Sequence, residues 1–364
     1  MLIKLKSLDI LIKFKPTNHI MTLYDLNKLN IFYVTGSKSF ELSGAKDYVT
    51  NNISNGRKIN QFNDFSANPK FDDVKKGVTL FKEGNYNCIV AIGGGSVIDM
   101  GKLIAFYAEN GIDDFYTTVG EPFSVACPIV AIPTTAGSGS EETHFAVIYN
   151  KGVKYSVAHP SLKPKHKILI PDFAFNCPKK QKLISALDAF CQSIESYWSK
   201  GATEESQKYS LKALTLLKEN LENGLIKNDF NAFKKIVEGS NYAGKAINIS
   251  KTTACHALSY YFTSKFNIPH GQSVAMIMPY VFDYHYKNMP NSTTMNTLSE
   301  LLDFESNDFL LEFKKYFNKI GLADDFETLG IDLKLHLNDL LKNVNQERLK
   351  NNPIKINITN LFKK

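Results

Sequence analysis

The chain has 364 residues, 43% hydrophobic and 22% charged, a balance that reads as ordinary globular protein and argues against fibrous, disordered or membrane-embedded classes. Its formal net charge of +7 is carried almost wholly by lysine spread along the chain, with Arg57 and Arg348 the only arginines; that favours anionic small ligands weakly and nucleic acid hardly at all. Five cysteines (Cys88, Cys127, Cys177, Cys191, Cys255), none in a C-x-x-C pair, fit a reducing compartment better than a disulfide framework.

The first segment, MLIKLKSLDILIKFKP, alternates Lys with Leu and Ile and lacks the unbroken apolar core of a signal peptide. No later run is long enough to span a bilayer, so a cytoplasmic protein without membrane partners is expected. The length exceeds what one core supports and predicts two domains. "NIFYVTG" (30–36), "CIVAIGGGS" (88–96) and "CPIVAIPTT" (127–135) are short β-branched runs ending in small residues, as buried parallel strands do. Between them "DDVKKGVTLFKEG" (72–84) has helical spacing, with Val74, Val78, Leu80 and Phe81 expected on one side. The alternation predicts βαβ units and a nucleotide-binding α/β domain.

"AIGGGSVIDMGK" (91–102) places three glycines between a strand and a helix start. Glycine lets backbone N–H groups approach a phosphate, and a helix N-terminus adds positive potential; Ser96 is read as the N-cap. The bland alternative is a tight turn. "IPTTAGSGSEET" (132–143) is a second small, hydroxyl-rich loop after a strand, from which Thr134, Thr135 and Ser138 are candidates to line the same ligand.

Beyond about residue 177 the pattern becomes helical throughout: "KKQKLISALDAFCQSIESYWS", "SLKALTLLKENLENGL", "AFKKIVEGSNYAGKAINIS" and "FLLEFKKYFNKIG" all carry apolar residues three and four apart. The predicted division is an α/β Rossmann-like parallel-sheet domain over 1–176 and an all-α domain over 177–364, with no linker between them and hence a cleft. On one amphipathic helix Asp188 and Gln192 share a face, with Glu195 on the adjoining turn. A carboxylate there is costly to bury unless paired or metal-bound. Taken singly, Asp188 and His256 are as readily partnered core residues. His270, between Pro269 and Gly271, is the rarer arrangement. An Asp, two His and a fourth O or N donor form a sensible set for Zn²⁺ or Fe²⁺.

Four stretches, "AIGGGSVIDMGK", "IPTTAGSGSEETHFAVI", "LDAFCQSIESY" and "ACHALSYYFTSKFNIPHGQSVAMIMP", resemble successive motifs of the iron-containing (group III) alcohol dehydrogenases, and the likeness runs to "NNPIKI" near the end. The resemblance implies NAD(P)-dependent alcohol dehydrogenase or aldehyde reductase activity with one divalent metal, Fe²⁺ or Zn²⁺. It implies metal ligands Asp188, Gln192, His256 and His270, where the family usually has one Asp and three His; Gln192 is the departure. A second departure is Tyr260, where many relatives carry a histidine thought to help proton movement. Cofactor positions carried over are Asn68, Gly93, Gly94, Gly95, Ser96, Thr134, Thr135, Ser138 and Lys154. After the first strand, Gly36, Ser37 and Lys38 offer no acid to repel a 2′-phosphate, which favours NADPH over NADH. "DAFCQSIESYWSKGATEES" is similar to the phosphonoacetaldehyde reductase branch, implying reduction of phosphonoacetaldehyde to 2-hydroxyethylphosphonate by a homodimer. With two arginines, the cations for a phosphonate are expected from lysines such as Lys154, Lys163 and Lys165, from histidines or from backbone N–H groups. The rival readings are a general short-chain alcohol/aldehyde dehydrogenase, a dehydroquinate-synthase-like lyase, and a metal-free dinucleotide-binding protein.

Overall fold

β-Branched runs become strands wherever both faces can be buried. In a computed structural model, residues 26, 29–54, 59–117, 124–125 and 127–362 are described; the alternating N-terminal segment and Arg57 lie outside them. The chain divides into two compact units, one made of Met1–Thr135 with Gly139–Pro178 and the other of Ala136–Ser138 with Lys179–Lys364.

In the first unit β1 (Ile31–Thr35), β2 (Gln61–Phe62), β3 (Cys88–Gly93), β4 (Ile129–Pro133) and β7 (His166–Lys167) form a parallel sheet in the order β2-β1-β3-β4-β7. Ile31 to Thr35 lie opposite Cys88 to Ile92, and Ile89 to Gly93 opposite Ile129 to Pro133. Alternate residues enter opposite cores. Phe32, Val34, Ile89, Ala91, Ile129 and Ala131 meet helices α1 (Phe71–Glu83) and α2 (Gly95–Asn110). Ile31, Tyr33, Val90, Ile92, Val130 and Ile132 meet Phe40, Ala45, Val49 and Phe173 on the other face. Each fully buried Val, Ile or Phe among them contributes about 1.5–3 kcal/mol. This is why the strands read as unbroken apolar runs. In α1 the buried face is Phe71, Val74, Gly77, Val78 and Phe81, whereas Leu80 is 45% exposed. The expectation for Leu80 was wrong because its 100° step from Phe81 carries it off the stripe.

One feature of this unit was not anticipated. β5 (Phe145–Asn150) and β6 (Val153–Ala158) form an antiparallel hairpin. Its two-residue loop, Lys151 (φ 48°) and Gly152 (φ 78°), has the paired positive φ angles of the tight turn that matches strand twist.

The second unit is helical, with no strand among described residues 179–362. α3 (Lys179–Trp198), α4 (Glu204–Leu221) and α5 (Phe230–Ser250) pack on one another, and α6 (Ala254–Phe266) and α7 (His270–Asn288) pack together with α7 also against α3. Thr203 and Ser206 form a reciprocal capping box on α4, and the Asp229 carboxylate accepts from the Asn231 and Ala232 N–H groups at the start of α5. Between α6 and α7, Asn267 closes α6 in the left-handed region (φ 54°), and Pro269 precedes α7.

Candidate metal centre and cofactor loop

The Pro-His-Gly sequence sets one helix against another. A Cβ on Gly271 would lie 2.2 Å from the Ile184 carbonyl oxygen and 3.0 Å from the Asp188 Cβ. Only glycine lets the first turn of α7 approach α3 that closely, and the approach delivers His270 to Asp188. His256, in the first turn of α6, reaches the same place. One ligand atom each from Asp188, His256 and His270 lies within 4.8 Å of the other two. The His256 Nε2 is 3.2 Å and the His270 Nε2 4.0 Å from Asp188 Oδ1. The Asp188 and His256 side chains are buried, whereas that of His270 is 35% exposed, which leaves the cluster open on one side.

Behind His256 stands Glu195, fully buried. One of its oxygens pairs with His256 Nδ1. The other accepts from the Thr253 N–H (3.2 Å), the Thr253 hydroxyl (2.9 Å), the Cys255 N–H (2.7 Å) and the His256 N–H (3.3 Å). Burial alone would push this carboxyl up, but the His256 ring and these donors outweigh it and hold it below its usual range. Asp188 is likewise held low against burial by His256 and His270. Burial would lower His256, yet Glu195 and Asp188 raise it to about 9. Two ionised carboxylates thus flank one imidazole. In this charged form Nε2–H donates to Asp188 at 3.2 Å; once a cation displaces that proton, the carboxylate on Nδ1 keeps the other proton there and leaves Nε2 free to ligate, as backing carboxylates do for metal-binding histidines. Sequence reasoning put Glu195 on the right helix but gave it no task; its spacing, seven residues after Asp188, was the available signal.

The donor set suits a divalent cation: a carboxylate, two imidazoles and a local field that favours positive charge. Gln192 lies one turn from Asp188, to which its side chain hydrogen-bonds, while its Oε1 is buried without a donor partner. An orphaned carbonyl oxygen is costly in a protein interior and is relieved by a cation. Tyr260 stacks on His270 with ring centroids 5.6 Å apart and planes at 17°.

In the first unit the candidate cofactor residues gather at strand ends. The strand order reverses between β1 and β3, and ligands in such sheets bind beyond the carboxyl ends at that point. β1 runs into Gly36, Ser37 and Lys38, and β3 ends at Gly93 with Gly94 and Gly95 leading into α2. A Cβ on Gly93 would lie 2.5 Å from Val97, and one on Gly101 would lie 3.0 Å from the Ala91 Cβ, so these glycines let α2 pack tightly on the sheet. The N-cap of α2 is Gly94 and not, as expected, Ser96. The Ser96 hydroxyl instead accepts the N–H of Asn68, which holds φ 62°. Thr134 and Thr135 follow β4 directly, and the Thr134 N–H bonds the Gly93 carbonyl at 3.0 Å. The Thr134 hydroxyl is buried without a partner. Lys154 lies in β6, close enough to bias the Asp99 carboxyl. Ser138 falls in the second unit.

Lys102, fully buried, was missed. Its Nζ donates to the Ser140 and Thr143 hydroxyls (3.0 Å each) and to the Phe145 carbonyl (2.9 Å), pinning the segment after β4 to α2. Burial drops it to about 8 against the pull of Asp99. Of the lysines considered for a phosphonate, Lys163 stands 3.8 Å from Glu142, which Lys167 also pairs with, and Lys165 is exposed.

Two family descriptions match the chain: iron-containing alcohol dehydrogenase over residues 14–171 and the C-terminal part of the iron-containing alcohol dehydrogenase family over 182–363. The 4-hydroxybutyrate dehydrogenase of Clostridium kluyveri is 29% identical, with 70% of this chain and 72% of that protein aligned. Long-chain-alcohol dehydrogenase 1 of Geobacillus thermodenitrificans is 28% identical over 66% of this chain and 62% of its own length. The crystal structure of sulfoacetaldehyde reductase from Bifidobacterium kashiwanohense in complex with NAD+ superposes with a TM-score of 0.80 at 26% identity, covering 92% of this chain and 89% of that one. No described helix is long and apolar enough to cross a membrane. A parallel-sheet unit with a glycine loop at its switch point, a helical unit presenting Asp188, His256 and His270 together, and matches over both halves give one conclusion: the chain belongs to the iron-containing alcohol dehydrogenase family.

Proposed function

We propose that this chain reduces an aldehyde to a primary alcohol with NADPH, and that the aldehyde bears a phosphonate, phosphonoacetaldehyde giving 2-hydroxyethylphosphonate. The observation that carries the reductase reading is the convergence of Asp188, His256 and His270 with Glu195 behind His256. When bound, the divalent ion supplies Lewis acidity to a carbonyl oxygen, and the reduced nicotinamide supplies hydride. Asp188, His256 and His270 hold the ion, with Gln192 Oε1 as the fourth, weaker donor. Glu195 fixes the proton of His256 on Nδ1. Tyr260 lies flat against His270 and restrains its ring; its hydroxyl is the group of this chain assigned to deliver a proton to the alkoxide oxygen.

In the other unit, the N–H groups of Gly94, Gly95 and Ser96 receive the cofactor phosphates at the start of α2, where the helix adds positive potential. Gly36, Ser37 and Lys38 receive the ribose end. Without an acid there, a 2′-phosphate meets a hydroxyl and a cation, which supports NADPH. Thr134, Thr135, Ser138, Asn68 and Lys154 complete the cofactor assignment. Support for an oxyanion-bearing substrate comes from two of the similar proteins, whose names specify a carboxylate (4-hydroxybutyrate) and a sulfonate (sulfoacetaldehyde).

The test is a panel of phosphonoacetaldehyde, sulfoacetaldehyde, acetaldehyde and propanal, each with NADPH and NADH on protein loaded with Fe²⁺ or Zn²⁺. Highest kcat/KM with phosphonoacetaldehyde and NADPH is expected. Highest kcat/KM with acetaldehyde or propanal supports the general short-chain dehydrogenase reading instead.

A further inference from the structure

The chain meets nearly all its need for positive charge with lysine, and Arg348 is the only arginine among the described residues. It is also held in place. Arg348 lies in the short helix Gln346–Lys350, where its own N–H is capped by the Asn345 side chain at 2.9 Å. The Nη1 of Arg348 donates to the Thr252 hydroxyl, and Thr252 is buried. Asn351 ties the end of that helix to the residues before α6, donating to the Ser250 carbonyl (2.8 Å) and the Thr252 carbonyl (3.1 Å). The adjacent acid, Glu347, pairs with Lys251 at 2.7 Å.

This anchoring sets the guanidinium over the Tyr260 ring, with the guanidinium carbon 6.0 Å from its centroid. The same ring stacks on His270, with centroids 5.6 Å apart. A cation, an aromatic ring and a candidate metal ligand therefore follow one another, and all three are partly exposed. Arginine is suited to this position in a way lysine is not. Its planar fork presents several N–H donors in fixed directions, and Thr252 accepts from only one of its nitrogens. A tetrahedral or planar oxyanion is the ligand that fork recognises.

We propose that Arg348 reads the substrate's oxyanion. It binds the phosphonate, sulfonate or carboxylate end of a short aldehyde whose carbonyl end sits at Asp188, His256 and His270. The assignment rests on the reductase reading above and moves the anion contact from the lysines of the first unit to the helical unit. It also gives Tyr260 a second task, as the ring that spaces the two ends of the substrate.

The experiment measures kcat/KM of metal-loaded wild type, Arg348→Met and Arg348→Lys with phosphonoacetaldehyde, sulfoacetaldehyde, succinic semialdehyde and propanal. The readout is the ratio of each anionic substrate to propanal, which a loss of folded protein would leave unchanged. In Arg348→Met the best anionic ratio is expected to fall about 100-fold, mainly through KM, as loss of a charge-assisted contact requires. Arg348→Lys is expected to recover part of it. The anion with the largest wild-type ratio identifies the head group. A ratio that is the same in wild type and Arg348→Met, or a wild type that prefers propanal to all three anions, overturns the assignment while leaving the reductase reading intact. A metal-loaded wild type that reduces none of the four overturns both.

Discussion

Replacing Glu195 with glutamine changes one charge and almost no volume at a buried site. The carboxylate accepts four hydrogen bonds at 2.7–3.3 Å through one oxygen and pairs with His256 Nδ1 through the other. Glutamine keeps an oxygen for the first set, because those four donors can be satisfied only by an acceptor. Its amide nitrogen then faces His256 Nδ1 and forces that atom to accept. The ring proton moves to Nε2, the atom that faces Asp188, and a protonated Nε2 cannot bind a cation. Loss of a backing carboxylate typically costs 10–100-fold in metal affinity, equivalent to about 1.4–2.7 kcal/mol. Glu195→Gln is therefore expected to bind Fe²⁺ or Zn²⁺ about 10–100-fold more weakly than wild type in a chelator competition. Because the shape and the four accepted bonds persist, thermal unfolding of the metal-free protein should shift by no more than about 1–3 kcal/mol. Unchanged metal affinity in a folded Glu195→Gln protein would refute the argument that this carboxylate sets the tautomer of His256.

Three other outcomes follow from the same structure. His256→Ala and His270→Ala are each expected to abolish aldehyde reduction while NADPH binding, followed by nicotinamide fluorescence, stays within about threefold of wild type; wild-type-like turnover in either would remove the cluster from the chemistry. Gly36→Asp is expected to shift the ratio of kcat/KM toward NADH. Its Cβ would stand 2.0 Å from the Ser39 hydroxyl oxygen, so the substitution is made with Ser39→Ala, and an unchanged ratio would show that Gly36 does not face the ribose. Burial drops the Lys102 ammonium from its ordinary 10.5 to about 8, so the unfolded chain binds more protons between those values, and the stability linked to this group rises with pH across that window and falls as pH drops toward 8. Lys102→Met should remove that part of the slope when unfolding free energies are compared from pH 8 to 10; identical slopes would contradict it.

Much of the fold was legible because periodicity is a one-dimensional record of burial. The runs at 31–35, 88–93 and 129–133 are apolar without a break because each strand has a core on both faces, and the second half carries three- and four-residue spacing because it is helical throughout. The hairpin Phe145–Ala158 was not legible: its second strand buries only Val157 and leaves Val153 52% exposed, too little of a face to write a pattern. Asp188, His256 and His270 could be nominated from residue type and the Pro-His-Gly sequence, because proline's fixed φ and glycine's missing side chain leave a local signal. Glu195 offered only its spacing from Asp188 and Lys102 no signal at all, since the partners that define their tasks lie 38 to 61 residues away. Arg348 was seen and set aside on number alone; what singles it out is the ring beneath it, which only folding supplies. Ser96 shows the opposite failure, a good capping residue that lies two positions inside the helix because Gly94 takes the extended backbone that a cap requires.

The most direct test is metal-edge X-ray absorption on protein reconstituted with one equivalent of Fe²⁺ or Zn²⁺, read alongside aldehyde reduction by the same sample. The account predicts one tightly held ion per chain with two imidazole nitrogens and carboxylate oxygen among its neighbours, activity rising in step with occupancy, and both lost in Asp188→Ala. An ion with no imidazole neighbours, or full activity in rigorously metal-free protein, would contradict it.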